Sequence, residues 1–156
     1  MDATTVDYQW RGDFDNLEVN ALHADAFGGR FFDETEWNWS ELVHRLSLGW
    51  VVAREDELLV GFVNVPWDGL VHAWLQDTMV AGTARHRGIA TRLVEVAREG
   101  ARAAGCEWLH VDFVDHLRSF YIDACGFTPT PAGLMALGDA PPRSAGGSDT
   151  IRISAD

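Results

Sequence analysis

Residues 85–90 read Arg85-His86-Arg87-Gly88-Ile89-Ala90, between a segment with strand character and a segment with helical periodicity. Residues 85–102 hold five arginines and two glutamates, a net charge of +3 in a chain whose formal charge is −12. The first N–H groups of a helix have no intrahelical partner, and the helix dipole adds partial positive charge there. A basic, glycine-containing turn at the start of a helix therefore predicts a phosphate-binding site.

The segments around this turn have the periodicities of a mixed sheet. The helix after the turn is predicted over residues 88–104, because its apolar residues recur at helical spacing. Asp68-Gly69 is a strong hairpin signal between two strand-like segments. The strands are predicted at residues 6–11, 50–53, 58–65, 71–80 and 108–113, with a sixth beginning at Phe127 and a seventh at 134–137.

Three further helices are predicted from capping signals. Asp13 or Asp15 is expected to begin a helix that ends at Phe27, before two glycines. Asp33 and Glu36 have capping-box spacing and predict a second helix that runs towards Leu48. The last of the three is a short helix at residues 117–124.

The order of these elements predicts an α/β fold with a mixed, mostly antiparallel sheet of six to seven strands and about four helices. The helix at 88–104 forms the one parallel crossover, so the fold is not an alternating doubly wound one. Residues 1–137 are expected to form a single domain, since 156 residues with 47% apolar content are enough for one core. Residues 138–156 are rich in Gly, Ala, Pro and Ser, which predicts a poorly ordered tail.

Composition narrows the classes of partner. A strongly acidic chain lacks the basic footprint that nucleic acids require, although it suits a cationic substrate such as an amine. The absence of lysine excludes a P-loop. No apolar run is long enough to span a membrane, so a cytoplasmic location is expected. Cys106 and Cys125 are predicted to be buried free thiols, and no Cys/His cluster indicates a metal site.

The chain resembles the GNAT family of acyl-CoA-dependent N-acyltransferases. The family signature, Gln/Arg-x-x-Gly-x-Gly/Ala between the fourth strand and a long helix, matches residues 85–90. The -Cys125-Gly126-Phe127- ending resembles the Gly-Phe that follows the last helix of the family. The element order matches from the first strand to about Leu137, which implies a GNAT-like fold.

The resemblance implies acetyl-CoA as the acyl donor and no metal. The pyrophosphate would lie on backbone N–H groups of the basic turn, with added contacts from its arginines. The fourth strand would bind the pantetheine arm, and a bulge there would separate the fourth and fifth strands to form the acetyl slot. Gly82 departs from the family, which most often has Pro at this position. The implied coenzyme-binding residues are Met79, Val80, Ala81, Arg85, His86, Arg87, Gly88, Ile89, Ala90 and Thr91.

The resemblance also implies that a Tyr on the short helix protonates the departing thiolate, and Tyr121 matches it. The family has four residues from this Tyr to the Gly of Gly-Phe, whereas Tyr121 and Gly126 are five apart. One extra helical residue rotates a side chain by about 100°, and a local bulge would restore the geometry. The alternative is that Tyr121 only packs against Phe120. The family's frequent Asn at the start of this helix is replaced by Val114 or Asp115.

Acyl transfer needs a neutral amine, so a general base or a water relay must accept a proton. Asp77 and Asp112 are candidate bases because each interrupts the pattern of a core strand, and a hydrogen-bonded structural role is the alternative. Three histidines are weaker candidates: His72, His110 and His116. The family's acceptor region matches residues 31–39, where Phe32, Trp37 and Trp39 would bind a cationic amine unless they pack in the core.

The sequence thus predicts an N-acetyltransferase that acts on a primary amine of a small, cationic metabolite or of a peptide. Two alternatives stay open. One is a non-catalytic acyl-CoA-binding module, and the other is a protein acetyltransferase. The resemblance is compatible with a homodimer, and neither a nucleic acid nor a membrane is expected as a partner.

Overall fold

The computed structural model describes residues 4–139. These residues form five strands: β1 (Val6–Trp10), β2 (Ser47–Glu55), β3 (Leu58–Pro66), β4 (His72–Val80) and β5 (Trp108–Val111). The α-helices are α1 (Asn16–Phe27), α2 (Trp39–Leu46) and α3 (Ile89–Ala103). Residues Ser119–Ala124 form a π-helical turn, and two short 3₁₀ turns cover Gly82–Ala84 and Asp115–Leu117.

The five strands form one sheet in sequence order, β1-β2-β3-β4-β5. β1 to β4 pair antiparallel, whereas β4 and β5 pair parallel and are joined through α3. The predicted mixed sheet with a single parallel crossover is therefore confirmed.

Each face of the sheet is covered by helix, which gives two core clusters. On one face, the apolar side of α3 packs on β1 to β4, with Leu93 and Ala97 fully buried. On the other face, α1 and α2 pack on β2 and β3 through residues such as Val19, Val43 and Phe62. The helices leave part of the second face, over β4 and β5, to solvent, as the exposed His110 and Trp108 show.

The first helix begins and ends as predicted. The Asp15 side chain accepts a hydrogen bond from the backbone N–H of Leu17, and Glu18 accepts one from the Asp15 backbone, which completes a capping box. Gly28 ends the helix in the left-handed conformation, at φ 63°.

The second helix was predicted too early in the chain. Asp33 and Glu36 do form the hydrogen bonds of a capping box, since Asp33 accepts from the Glu36 N–H and Glu36 accepts from the Asp33 N–H. They close an isolated turn rather than a helix. The helix begins after Asn38, whose side chain accepts from the Glu41 N–H, and β2 follows from Ser47. A capping box is thus sufficient for a turn but not for a helix.

The sixth and seventh predicted strands are absent from the described part of the chain, which leaves five strands instead of six to seven. From Phe127 to Asp139 the backbone belongs to no helix or strand. Pro129 and Pro131 have no N–H to donate to a sheet, and the intervening residues cannot form a continuous ladder. Residues 140–156, which hold most of the predicted tail, lie outside the described residues.

Two smaller predictions can also be compared with the structure. Cys106 and Cys125 are free thiols, as expected. None of the helices within residues 4–139 has both the length and the apolar character needed to span a membrane.

Candidate active site

The sheet opens where β4 passes β5. β5 pairs with β4 only along His72–Leu75, and the last pair is Leu75 with Val111. Just beyond it, β4 contains a bulge opposite β3, where Phe62 pairs with Met79 but Asn64 pairs with Gln76. Asp77 lies in this bulge at φ 56°, a left-handed conformation that is uncommon for a residue with a side chain. The bulge was expected at Met79–Ala81 and lies just before these residues, at the point where β4 continues past its last pair with β5.

The basic turn adopts a conformation that suits an anion. His86 and Gly88 both have left-handed backbones, at φ 60° and 76°, and Arg85 between β4 and the turn is extended. A Cβ added at Gly88 would meet no atom within 4 Å, so the space beside this residue is open. Turns that alternate in handedness direct successive N–H groups into one concavity. We call this turn at the start of α3, His86–Gly88, the cradle.

The first turn of α3 adds donors to this cradle. Gly88 is the N-cap residue, and no side chain caps the helix, because glycine has none to offer. The side chains of Ile89 and Ala90 are buried in the core, so these residues offer only their backbone to a ligand. Thr91 is half-buried at the end of the same turn.

The two arginines of the turn are already engaged within the fold. Arg85 donates through Nη2 to the carbonyl oxygen of Ala26 at 3.0 Å. Arg87 forms a two-point ion pair with Glu55, at 2.6 and 3.1 Å, which lowers the pKa of the Glu55 carboxyl. In this structure both side chains therefore support the turn, whereas the sequence predicted direct contacts with phosphate.

A hydrogen bond to α1 restrains the backbone segment that precedes the turn. The Asp25 carboxylate accepts a hydrogen bond from the N–H of Gly82 at 2.8 Å. A Cβ at Gly82 would lie 3.6 Å from that carboxylate, which is ordinary contact, so the position accepts a side chain as well as glycine. The chain holds this segment through Asp25 and Arg85, at a position where the resemblance led us to expect Pro.

The extra residue between Tyr121 and Gly126 is accommodated by the π-helical turn. The N–H of Cys125 donates to the carbonyl of Phe120, five residues earlier, at 2.9 Å. A π-helical turn holds one more residue than an α-helical turn. The extra residue is therefore accommodated without a rotation of about 100° of Tyr121 relative to Gly126. The bulge that the sequence analysis required is therefore present at this position.

Tyr121 is fully buried among three aromatic rings, stacked on Phe113 at 5.3 Å and in edge contact with Phe120 and Phe127. Within residues 4–139, no group pairs with its hydroxyl at normal hydrogen-bond geometry. Burial raises the pKa of Tyr121 well above its ordinary value, and the nearby Thr78 side chain, itself buried on β4, offsets part of the rise. The two predicted roles of Tyr121, packing against Phe120 and donation of a proton, therefore both stay open. Its ring packs against Phe120, and its hydroxyl is a donor without a partner in the described chain.

The candidate bases lie on either side of the opening. Asp77 is half-buried in the bulge of β4, and Asp112 is exposed immediately after β5. His72 and His110 approach each other, with Nδ1 of His72 2.7 Å from Nε2 of His110. The sequence named both histidines singly. Their pairing follows from the parallel register of β4 and β5, which no local pattern reveals. His116 is exposed on a short turn.

The three predicted acceptor residues divide between core and surface. Trp39 is buried in the core and donates its indole N–H to the Asn20 side chain, so it cannot meet a substrate at the surface. Trp37 is 42% exposed, and Phe32 is half-buried beneath the Arg30 guanidinium at 4.4 Å. Trp39 thus occupies the core, as in the alternative that the sequence left open, while Phe32 and Trp37 remain candidates.

The mixed sheet and the glycine-containing turn between β4 and α3 give the chain the α/β fold that is expected of an acyl-CoA-dependent acyltransferase. The sequence matches the acetyltransferase (GNAT) family over residues 16–127, and the chain belongs to that family. No curated protein sequence matches the chain.

Several solved structures share the fold at low sequence identity. An aminoglycoside N-acetyltransferase, AAC(6')-Iy, in complex with CoA has a TM-score of 0.71 and 17% identity, over 89% of this chain and 98% of its own. A transcriptional regulator from Bacillus halodurans has a TM-score of 0.70 and 19% identity, over 85% and 99%. Glucosamine-6-phosphate N-acetyltransferase from Arabidopsis thaliana has a TM-score of 0.64 and 15% identity, over 85% and 99%.

Proposed function

We propose that the chain transfers the acetyl group of acetyl-CoA directly to a primary amine. The observation that carries this proposal is the cradle at His86–Gly88, open at the glycine and adjacent to the separated ends of β4 and β5. Membership of the acetyltransferase family and the CoA complex of a structural neighbour support the same donor.

The residues present fit acetyl-CoA on two counts. The open space at Gly88 is where a bulky side chain would block a phosphate, and the uncapped N–H groups of α3 suit a pyrophosphate. The Tyr121 hydroxyl is a buried donor that lacks a partner within the described residues. We assign the pyrophosphate to the backbone of Arg85–Thr91 and the pantetheine arm to the backbone of Met79–Ala81. When bound, acetyl-CoA supplies the acetyl group as a thioester.

The chain itself must move two protons. Tyr121 is the proposed general acid, because its hydroxyl is a buried proton donor without a partner among the described residues, and burial raises its pKa further above neutrality. Asp112 is exposed beside the opening and is the better placed of the two candidate bases, since Asp77 is half-buried within the bulge. A water relay is the alternative route for the amine proton.

The proposed acceptor is a small, cationic metabolite or a peptide. The formal charge of −12 attracts cationic amines. Two of the neighbours are named for aminoglycoside and glucosamine-6-phosphate acetylation, which favours a small acceptor. A cytoplasmic location, a homodimer and the lack of a metal remain predictions.

One observation favours a second candidate, a non-catalytic acyl-CoA-binding module. The Tyr121 side chain is 0% exposed, so its hydroxyl is closed off in this state. Such a module would bind acetyl-CoA without releasing free CoA in the presence of any amine.

The test is thermal unfolding with acetyl-CoA, followed by an assay of thiol release. A ligand at about 100 times its Kd adds about 2.7 kcal/mol to the free energy of unfolding. We expect acetyl-CoA to raise the Tm and equal concentrations of ATP and NAD to leave it unchanged. No rise with acetyl-CoA at saturation would overturn the proposal. A rise without thiol release across a panel of amines would leave the binding module in its place.

A further inference from the structure

The open face of β4 and β5 carries a group of aromatic rings that the proposed function does not use. Residues alternate along a strand, so those that point away from α3 share this face. Ala73 and Leu75 of β4 are buried on the α3 side. The opposite side shows six residues to solvent in full or in part: His72, Trp74, Gln76, Trp108, His110 and Asp112.

Three of these rings lie against one another. Trp74 and His110 are stacked, with centroids 4.9 Å apart and planes 18° from parallel. His72 lies 5.0 Å from His110, ring to ring, and joins it through the 2.7 Å nitrogen contact. We call these three rings, His72, Trp74 and His110, the aromatic platform. Contact with its neighbours restricts each ring, so the platform is a preformed surface.

The platform lies directly before the proposed acetyl slot. Trp74 and His110 are paired across the strands, and the next pair, Leu75 with Val111, is the last before the strands separate. Asp112 follows directly after β5, and strand alternation from His110 would place it on the same face as the platform. Trp74, His110 and Asp112 also line one cavity of about 830 Å³, which continues around the edge of β5. A ligand on the platform would therefore lie within reach of the slot.

The charge of this face indicates a cation. None of its six residues is an arginine, and Asp112 forms no ion pair with any residue of the described chain. Three other charged residues line the cavity, namely Glu95, Arg98 and Arg118, and none of them belongs to this face. The indole ring of Trp74 presents a negative π-face, which attracts ammonium groups. The α1–α2 segment differs, because Arg30 already covers the ring of Phe32 there.

We propose that the aromatic platform binds a second ammonium group of the acceptor. The substrate class is then a diamine or polyamine, with one amine at the slot and a distant cationic group on Trp74 and His110. This inference rests on the proposed function, because it places the acceptor next to the acetyl slot. It moves the main acceptor contact from the α1–α2 segment, with Phe32 and Trp37, to the open face of the sheet.

The test is an NMR titration of the CoA-loaded protein with two amines of equal chain length. Cadaverine carries a second ammonium group, and n-pentylamine carries a methyl group in its place. We expect the indole N–H signal of Trp74, assigned with Trp74→Phe, to shift with cadaverine. We also expect cadaverine to bind at least about fivefold more tightly than n-pentylamine.

Variants test which residues cause the preference for cadaverine over n-pentylamine. Trp74→Leu removes the ring and should reduce the preference for cadaverine by about fivefold, whereas Trp74→Phe should retain it. His110→Gln, at an exposed position, tests the platform independently if Trp74→Leu does not fold. Trp37→Leu is the matched control on the α1–α2 segment and should leave the preference unchanged.

Three results would overturn the inference: equal binding of the two amines, a preference unaffected by Trp74→Leu or His110→Gln, or loss of the preference in Trp37→Leu. A failure of the proposed function is distinguishable, because the wild-type protein would then not bind CoA or acetyl-CoA in the first step of the experiment. CoA binding with any of the three results rejects the platform alone.

Discussion

The Arg87 guanidinium donates two hydrogen bonds to the Glu55 carboxylate, which ties the end of β2 to the turn before α3. Arg87 therefore enters the cradle region with its charge already balanced. The ion pair raises the pKa of Arg87 and lowers that of Glu55. Arg87 would thus add little free charge to phosphate binding, which would use the backbone of the cradle and the dipole of α3.

Substitution of either partner of the Arg87–Glu55 pair is expected to change acetyl-CoA affinity, in opposite directions for the two partners. Glu55→Gln leaves Arg87 charged but without its carboxylate, so we expect acetyl-CoA to bind about two- to threefold more tightly at low salt. Arg87→Ala should weaken binding by less than about fivefold, because a balanced charge is lost. Calorimetry at two salt concentrations checks both. Glu41→Gln, in the remote Arg45–Glu41 pair, is the control and should change nothing.

Gly88→Val tests the cradle itself. A valine side chain would occupy the open space beside the turn, and we expect acetyl-CoA binding by calorimetry to fall at least tenfold, on the order of 1.4 kcal/mol or more. A side chain at φ 76° also costs about 1–2 kcal/mol of stability. Gly69→Val is the matched control, since Gly69 has φ 81° and equally open space in the β3–β4 hairpin. Equal acetyl-CoA affinity in the two variants would reject the cradle.

Tyr121→Phe should separate turnover from stability. Loss of the proposed acid is expected to lower kcat by about 100-fold with little change in acetyl-CoA affinity. The hydroxyl is buried without a partner in the described chain, so its removal should leave the free energy of unfolding unchanged or raise it by about 1 kcal/mol. Steady-state kinetics and denaturant unfolding measure the two effects. Tyr8→Phe, at the other tyrosine, should keep full turnover, and full turnover in Tyr121→Phe would assign that residue to packing.

The Glu18–Arg54 pair predicts how the free energy of unfolding depends on pH. Arg54 donates to both carboxylate oxygens of Glu18, at 2.6 and 2.9 Å, and thereby lowers the pKa of Glu18 below its ordinary 4.5. Glu18→Gln should cost about 1 kcal/mol at pH 7. Because the folded pKa is the lower one, this stability is present above pH 4.5 and is lost as the pH falls through the folded value. The difference from wild type in urea unfolding should therefore vanish in acid, and a constant difference would contradict the assignment.

The local elements and the glycine-containing turn before α3 were predictable from sequence because their signals are local. The Asp15 capping box and the glycines after α1 and before α3 each act on neighbouring residues. The strand order followed from the hairpin at Asp68-Gly69 and from the single crossover. In each case the residues that carry the sequence signal lie within the predicted element or next to it.

Features set by distant contacts were not predictable. Trp37 and Trp39 look equivalent in sequence, and only the packing of α1 decides that Asn20 receives the indole of Trp39. The pairing of His72 with His110 joins residues 38 positions apart. The burial of Tyr121 depends on rings on both sides of the π-helical turn, Phe113 and Phe127. The Asp33 capping box failed as a helix signal because no buried apolar stripe follows it directly.

The π-helical turn explains how the chain carries an extra residue before Gly126 and still buries Tyr121. Deletion of the exposed Asp123 should convert the turn to an ordinary helical one and shorten the interval from Tyr121 to Gly126 to four residues. We expect the free energy of unfolding to change by less than about 1 kcal/mol and acetyl-CoA affinity to be kept.

Deletion of the exposed Glu99 is the contrasting experiment, because α3 has no such turn to absorb the change. It would rotate the rest of α3 by about 100° and displace Ala101 from the core, so this variant should be far less stable. Urea unfolding of both variants gives the comparison. If the Asp123 deletion is as damaging as the Glu99 deletion, the wide turn is required for the fold and does not simply accommodate an inserted residue.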